Sequence, residues 1–260
     1  MPWAIQTSLH LSDKKKGERH RAQAFTPWVV IGGWVIGLFV WSGCATTPTD
    51  KWIQASGKVP PYHELRAVPF FPQEEYQCGP AALAMVLAWS GLQIDAHELT
   101  PQVYTPSLKG SLQPAVIAAA RRHGRVAYPI SGADALLKEI AAGHPVIVLQ
   151  NLGLSWVPVW HYAVVIGYDL DKPTIILHSG TTNRKTTALN TFENTWARSK
   201  HWGLAVMPPD RLPATAEENS YIKAVVGLER ARRWSAAVEG DKTALGRWPQ
   251  NFSAHIGLSN

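Results

Sequence analysis

Cys78 is the residue whose type and position suit it best to chemistry, and it is one of two cysteines among 260 residues. It directly precedes an apolar stretch in which Pro80 suits the first helical turn and Gly91 suits the residue after the helix. Free backbone N–H groups and the dipole at a helix start favour a thiolate. The sequence therefore predicts that the pKa of Cys78 is lowered and that its sulfur is a nucleophile, not an inert buried thiol.

A thiol nucleophile needs a general base, and in proteins that base is usually a histidine oriented by a third group. Among the ten histidines, His161 suits this role best, because it opens a predicted strand 83 positions after Cys78. Its neighbours Trp160 and Tyr162 would shield the imidazole from water. A cysteine at a helix start and a histidine on a following strand favour acyl transfer through a thioester.

The secondary structure that must hold these two residues changes along the chain from predicted helices to predicted strands. Apolar residues at helical spacing follow Cys78, and two further helices are predicted, each closed by a glycine. Short apolar stretches rich in β-branched residues then predict strands, with a turn near Asp171. Helices followed by antiparallel strands favour an α+β domain. The later helices are predicted at 113–123 and 133–142, and the strands at 145–149, 162–166, 174–177 and 203–207.

The beginning of the chain has the layout of an export signal. A basic region precedes an uncharged apolar run, Phe25–Trp41, which is shorter than the roughly 20 residues that span a bilayer. The six residues Val40–Ala45 resemble the lipoprotein box of bacteria, in which the cysteine, here Cys44, is lipidated and becomes the first mature residue. Trp41 is a departure, because this box usually has an aliphatic residue three positions before the cysteine. That resemblance implies a signal peptide at 1–43 and a lipoprotein of the bacterial cell envelope, on the periplasmic side of the outer membrane. A membrane anchor helix that is kept is the alternative.

Removal of the predicted signal peptide lowers the net charge of the chain. The whole chain carries a formal charge of +6, which suggests a polyanionic partner. Residues 1–43 hold five of the 25 basic and two of the 19 acidic residues, so the mature chain carries +3. No nucleic-acid partner is therefore expected. The mature chain would begin with a tether at 44–62, which connects the folded part to a lipid anchor at Cys44.

The last fifth of the chain, 211–260, is predicted to be helical. Ala237, Ala244 and Pro249 have the spacing of the second helix of a tetratricopeptide repeat, and Tyr221 fits the first. Repeat arrays need about three units to be stable alone, so this tetratricopeptide-like segment is expected either to pack on the main domain or to be an incomplete fragment of a repeat array. A protein partner at these helices is one prediction, and a plain helical hairpin is the alternative.

Two sequence blocks resemble the C39-like cysteine peptidases, papain-fold domains related to bacteriocin leader-processing peptidases. They are PQEEYQCGPAALAM at 72–85 and HYAVVIGY at 161–168. The resemblance implies a papain-like domain at 63–210 in which N-terminal helices pack on an antiparallel sheet. It also implies Cys78 as nucleophile, His161 as base and Gln73 as the oxyanion-hole donor, together with the Cys78 backbone N–H. Gln77 competes with Gln73 for that role but lies beside the nucleophile.

The third catalytic position departs from this family. The family usually has Asp-Pro at the end of the strand that follows the histidine strand, whereas this chain has His178-Ser179-Gly180 there. Ser179 or His178 could orient the imidazole, and so could Asn151 from the preceding strand. A neutral partner fixes the tautomer but stabilises an imidazolium less than a carboxylate does.

The leading hypothesis is a lipid-anchored envelope cysteine peptidase that hydrolyses peptide or protein substrates. A papain-fold transpeptidase of the phytochelatin-synthase type and a catalytically degenerate peptide-binding adaptor are the alternatives. No cofactor is expected. The pairs His63-Glu64 and His97-Glu98 begin like zinc-protease motifs, but the second histidine is missing from both, so no metal site is predicted.

Overall fold

A seven-stranded antiparallel sheet is the centre of the structure, a computed structural model that describes Trp52, Ala55, Gly57 and residues 59–259. The predicted signal peptide at 1–43, the lipidation site Cys44 and most of the predicted tether lie outside the described residues. The strands follow the spatial order β4-β9-β5-β6-β7-β8, and β1 pairs with β6. They are β1 (Tyr62–Glu64), β4 (Val126–Ser131), β5 (Val146–Asn151), β6 (Trp160–Asp169), β7 (Thr174–Ser179), β8 (Thr182–Ala188) and β9 (Trp202–Met207).

Helices cover both faces of this sheet. A separate hairpin, β2 (Tyr104–Thr105) with β3 (Gly110–Ser111), flanks the first of them. The helices α1 to α3 form one layer, and α4 to α8 form the other. They are α1 (Cys78–Trp89), α2 (Ala96–Val103), α3 (Gln113–Arg122), α4 (Ala133–Ala141), α5 (Leu189–Ala197), α6 (Glu218–Arg230), α7 (Trp234–Arg247) and α8 (Phe252–Ser259).

The strand β6 supplies both hydrophobic cores, which explains its uninterrupted apolar sequence. Val164 and Ile166 pack with α1 to α3, whereas Ala163 and Val165 pack in the core on the other face. A strand buried on both faces has a continuous apolar sequence instead of an alternating one. This central position makes the start of β6 a rigid place for His161.

The helix α1 is surrounded by protein on nearly every side. Its nine residues from Gly79 to Leu87 are all buried, and Gly91 ends the segment with a φ of +91°. A helix that is apolar all round belongs in a core. Its first residue is Cys78, so the nucleophile predicted from the sequence lies at the start of the most buried helix of this layer.

The C-terminal helices are part of the main core. Tyr221 and Val225 of α6 and Ala244 of α7 are fully buried in the same hydrophobic cluster as the sheet residues of β4 and β5. Val225 occupies a position where a tetratricopeptide repeat has a small residue, and Gly240 of α7 makes room for it, since a Cβ there would lie 2.9 Å from a Val225 methyl. The helices α6 to α8 therefore belong to the same layer of the domain as α4 and α5.

The α+β prediction, with N-terminal helices on an antiparallel sheet and helices at the C-terminal end, is confirmed. The helices expected near 113–123 and 133–142 and the four expected strands are present. The elements β1, β4, β8, α2 and α5 were not predicted from the sequence. Within the described part of the chain, none of the helices has the length and apolar character needed to cross a bilayer.

Candidate active site

A cavity of about 990 Å³ lies where the start of α1 meets the start of β6 and the turn between β7 and β8. Cys78, His161 and Gln73 all line it, although they are separated by up to 88 positions in the sequence. The turn contributes Gly180, and β6 also contributes Tyr162. The fold thus brings together the three residues that the sequence assigned to nucleophile, base and oxyanion donor.

Cys78 is held against the backbone of the histidine strand. Its sulfur interacts with the backbone N–H groups of Tyr162, Gly79 and Cys78 itself, which lower the thiol pKa. Burial has the larger, opposite effect, and the net result is that the pKa of Cys78 is raised above its usual range. The prediction of a lowered pKa is therefore wrong for the free protein, because the helix start that favours a thiolate is itself buried.

His161 is also uncharged in the free protein. Burial, with a smaller contribution from the Lys185 ammonium, lowers the pKa of His161 to about 4. Its ring atom Nε2 lies 3.0 Å from Ser179 Oγ. Among the described residues there is no hydrogen bond between the imidazole and the Cys78 sulfur. At neutral pH the pair is therefore a thiol beside a neutral imidazole that is ready to accept a proton.

Only one of the three candidates for the third position contacts the imidazole, and that is Ser179. His178 is buried and its ring is engaged elsewhere, by the Val68 carbonyl at 3.1 Å and the Arg184 backbone N–H at 3.3 Å. The pairing of β6 with β7 brings Val164 opposite His178, with a register shift after Val165.

Asn151 has a different task. Its Oδ1 accepts hydrogen bonds from the backbone N–H groups of Gly153 and Val159, at 3.0 and 2.9 Å. It also donates through Nδ2 to the Leu154 carbonyl. Asn151 therefore shapes the loop between β5 and β6 and does not reach the His161 ring.

Gln73 is fixed by the turn that also carries Ser179. Its Oε1 accepts a hydrogen bond from the Gly180 N–H at 3.0 Å, and its own backbone N–H donates to the Gly180 carbonyl at 3.0 Å. Its Nε2 donates one hydrogen to the Tyr162 carbonyl at 3.1 Å. An amide nitrogen carries two hydrogens, so one remains for a developing oxyanion.

Gln77 is not placed for this role. Its Oε1 accepts from the Thr100 hydroxyl at 2.7 Å and its Nε2 donates to Glu74 at 3.3 Å. It does not line the cavity around Cys78 but a smaller one next to it.

The turn after β7 contains Ser179-Gly180 where C39-like peptidases usually have Asp-Pro, and its backbone conformation requires the glycine. Gly180 has a φ of +61°, in the left-handed region that favours glycine and that proline cannot adopt. A proline there would also lack the N–H that holds Gln73 Oε1. Two adjacent residues of this turn thus contact His161, through Ser179, and Gln73, through Gly180.

The sequence did not point to Ser111, which packs against Gly79, the residue after Cys78, and lines the same cavity. A Cβ on Gly79 would lie 2.4 Å from Ser111 Oγ, so the residue after Cys78 must be glycine for the β2–β3 hairpin to approach. Burial raises the pKa of Tyr162, whose protonated hydroxyl donates to the Ser111 carbonyl at 3.3 Å. The glycine after the cysteine was visible in the sequence, but its partner in space was not.

The chain matches the profile of the family described as Peptidase_C39 like family over residues 65–203, which is more than half of its length. No curated protein sequence matches it.

Several solved structures are similar, and three of them have the following matches. A protein from Bacillus anthracis assigned as a C39-like peptidase is 20% identical, with a TM-score of 0.49 over 56% of this chain and 97% of that chain. The peptidase domain of the bifunctional ABC transporter ComA from Streptococcus is 21% identical, with a TM-score of 0.45 over 54% and 98%. A double-glycine-motif protease from an AMS/PCAT transporter, in complex with the leader peptide, is 20% identical, with a TM-score of 0.42 over 55% and 93%.

Proposed function

The chain belongs to the C39-like peptidase family and contains a cysteine peptidase domain, and from its site we propose that Cys78 and His161 hydrolyse a peptide bond through a thioester. One observation carries this proposal. A single cavity holds a thiol at a helix start, a neutral imidazole whose Nε2 is engaged by Ser179, and the Gln73 amide with a hydrogen to spare.

The first half of the reaction is proton transfer coupled to attack. His161 Nδ1, the ring nitrogen that Ser179 does not engage, takes the thiol proton as Cys78 Sγ bonds to the scissile carbonyl carbon. For this, Nε2 carries the ring hydrogen and donates it to Ser179 Oγ. Because both groups are neutral beforehand, no thiolate–imidazolium pair has to be maintained in the free protein.

The charge that develops on the carbonyl oxygen is stabilised by two donors, the Cys78 backbone N–H and the free hydrogen of Gln73 Nε2. The imidazolium then gives its proton to the leaving amine as the C–N bond breaks, which leaves a thioester on Cys78. A water molecule, deprotonated by His161, attacks the thioester. The products are a carboxylic acid and the regenerated thiol.

Trapping of the thioester tests this mechanism. The full-length protein is mixed with a peptide library and quenched in acid, and its mass is then measured before and after treatment with neutral hydroxylamine. We expect acyl adducts on Cys78 that hydroxylamine removes, and none on the Cys78→Ala variant. Adducts on another residue, or cleavage without Cys78, would rule the mechanism out. A thiol acceptor added to the reaction shows whether acyl transfer to a thiol competes with hydrolysis.

We also propose that the protein is anchored in the bacterial cell envelope, on the periplasmic side of the outer membrane, by a lipid on Cys44. The sequence around Cys44 supports this, and the basic and apolar segments before it have the order of an export signal. Metabolic labelling with a fatty acid, followed by membrane fractionation, tests it. Cys44→Ala should abolish the label and release the protein from the membrane. A labelled or membrane-bound Cys44→Ala variant would contradict it.

We retain the tetratricopeptide-like segment at 211–260 as part of this proposal. The antiparallel packing of α6 and α7, with Tyr221, Ala237 and Ala244 buried, supports it. The protein partner expected for these helices remains a prediction from the sequence.

A further inference from the structure

We propose that the catalytic cleft selects peptides that carry a carboxylate side chain close to the scissile bond, and that Lys109 and Lys200 on its rim recognise that carboxylate. This inference rests on the proposed function and adds a substrate class to it.

The charges that line the cavity are strongly unequal. Lys109, Arg198 and Lys200 line it and are exposed, whereas Glu74 is the one carboxylate among its lining residues. Glu74 is already engaged by Gln77 Nε2 at 3.3 Å and lies 3.8 Å from the His97 ring. Within the described residues, none of the three cations has a carboxylate within ion-pair distance. The cleft therefore presents positive charge that the protein itself does not neutralise.

Both lysines are held in a backbone conformation that is unfavourable for a side chain of their size. Lys109 has a φ of 45° and Lys200 a φ of 59°, both in the left-handed region. This conformation is less favourable than an ordinary one for a residue with a side chain, and residues held in it are often found at functional sites. Glycine would relieve this cost at either position, so the presence of lysine at both favours a role for the ammonium groups.

Local contacts hold the side chain of Lys109 and the backbone of Lys200. The Lys109 Nζ lies 5.6 Å from the centre of the Tyr76 ring, which also lines the cavity and supports the cation without neutralising it. Lys200 is held through its carbonyl, which accepts a hydrogen bond from Ser131 Oγ at 3.2 Å. Its side chain is not paired and remains available to a ligand.

Arg198 contributes charge but has a structural task as well. Its Nη1 donates to the Asn151 carbonyl at 3.1 Å and to the Gly153 carbonyl, and so holds the loop between β5 and β6. A substitution there would disturb that loop. The two lysines are therefore the better residues for a test.

The remaining lining favours a peptide as the carrier of the negative charge. Leu108, Leu112 and Val159 give the cavity an aliphatic wall whose side chains are each more than half exposed. Aliphatic walls suit the apolar side chains of a peptide. An extended peptide with apolar residues and one carboxylate would match both the walls and the rim.

Pairs of peptides that differ only in a carboxylate or an amide side chain test whether the cleft recognises the negative charge. Peptides that the full-length protein cleaves are resynthesised with Glu→Gln and Asp→Asn replacements near the scissile bond. We expect kcat/KM to fall about tenfold for the amide peptides, mainly through KM, and the preference to shrink as salt is added. Lys109→Gln with Lys200→Gln should remove most of the preference. Lys223→Gln, an exposed lysine on α6 away from the cleft, should keep it.

Peptide binding to the Cys78→Ala variant tests this inference separately from the proposed peptidase reaction. Fluorescence anisotropy should show tighter binding of the acidic peptide than of its amide twin, and the double lysine substitution should equalise them. Equal binding and equal cleavage of both peptides would overturn the inference while the peptidase function stands. Another outcome is tighter binding of the acidic peptide without any acyl adduct on Cys78 of the wild-type protein. That outcome would support the inference and contradict the mechanism. Tighter binding of the amide peptide, or no binding of either, would also overturn the inference.

Discussion

The floor and the rim of the catalytic cleft are built in opposite ways. The floor consists of Gln73, Cys78 and His161, and Ser179 contacts the imidazole of His161. Gln73 and Ser179 are buried, whereas Cys78 and His161 are half-buried at the starts of α1 and β6. The rim consists of Lys109, Val159, Trp160 and Lys200, which are exposed and lie at or near turns. The floor is positioned by the core, whereas the rim can vary without disturbing it.

This difference assigns different kinetic effects to the two regions. Substitutions in the floor remove interactions that matter in the transition state, so they should lower kcat. Substitutions in the rim remove contacts made equally with substrate and transition state, so they should raise KM. A series of single substitutions with matched controls tests this division.

The largest of these effects is expected for His161→Ala. Without a base, a Cys78 thiol whose pKa is raised by burial is almost fully protonated at pH 7, and kcat should fall by about 10⁴-fold. Steady-state cleavage of a peptide measures this. His97→Ala removes an exposed histidine outside the cavity and should change kcat less than twofold. Comparable losses in the two variants would contradict the assignment of the base.

Gln73→Ala should lower kcat by about 10²- to 10³-fold with little change in KM, because it removes one oxyanion donor. Gly180→Ala tests how that donor is held. Alanine is strained at a φ of +61° and would shift the turn that anchors Gln73 Oε1.

Gly143→Ala is the matched control for Gly180→Ala. Gly143 has a φ of +93°, and as at Gly180 a Cβ there would meet no neighbouring atom within 4 Å, but it lies outside the cavity. Both variants should lose similar thermal stability, and only Gly180→Ala should lose kcat. Equal kcat values would show that the turn does not position Gln73.

Ser179 should act through the imidazole. Ser179→Ala should lower kcat by about tenfold, since Nε2 loses the partner that orients the ring. Ser179→Asp should raise the His161 pKa from about 4, because a carboxylate stabilises the imidazolium. The acid limb of the pH profile of kcat/KM would then move to higher pH. An unchanged pH profile for Ser179→Asp would show that residue 179 does not act on His161.

Substitution of Lys185 should shift the acid limb of the pH profile less than Ser179→Asp does. Burial and, to a smaller degree, the Lys185 ammonium lower the pKa of His161 to about 4, so activity in the wild type should be lost only as the pH falls through about 4. Removal of that cation in Lys185→Gln raises the pKa of His161, so the acid limb should move upward by a fraction of a pH unit. Lys172→Gln, which removes another exposed lysine, should leave it in place. A limb that moves downward, or moves equally in both variants, would contradict this account.

The smallest effect is expected at the rim. Val159→Ala removes part of the aliphatic wall and should raise KM about two- to fivefold with kcat unchanged. Trp156→Ala truncates a side chain of the same loop that is 78% exposed and does not line the cavity, so it should have no effect. A loss of kcat in Val159→Ala would contradict the separation of floor and rim.

The sequence predicted the elements whose apolar pattern is strong. The helix α1 and the strands β5, β6, β7 and β9 follow from their hydrophobic residues. The strand β8 has the sequence TNRKTTA and is exposed at the edge of the sheet, so burial gives it no pattern to detect. The strand β4 contains Pro129, which is tolerated because β4 forms the opposite edge.

Prediction from the sequence was limited in the same way for single residues of the site. The sequence pointed to Cys78, His161 and Gln73, because each lies in a block with a recognisable pattern. It left Ser179, His178 and Asn151 as equal candidates, because the choice depends on the register of β7 against β6 and on a shift within it. It also missed the raised pKa of Cys78, because a helix start can be seen in a sequence and its burial cannot.

The most direct test of the central claim compares cleavage of one peptide library by the wild-type protein and by its Cys78→Ala variant. The products are identified by mass spectrometry, and matched thermal unfolding curves show that both proteins are folded. The account predicts defined cleavage products with the wild type and none above background with Cys78→Ala. The same products at the same rate from both proteins would contradict it.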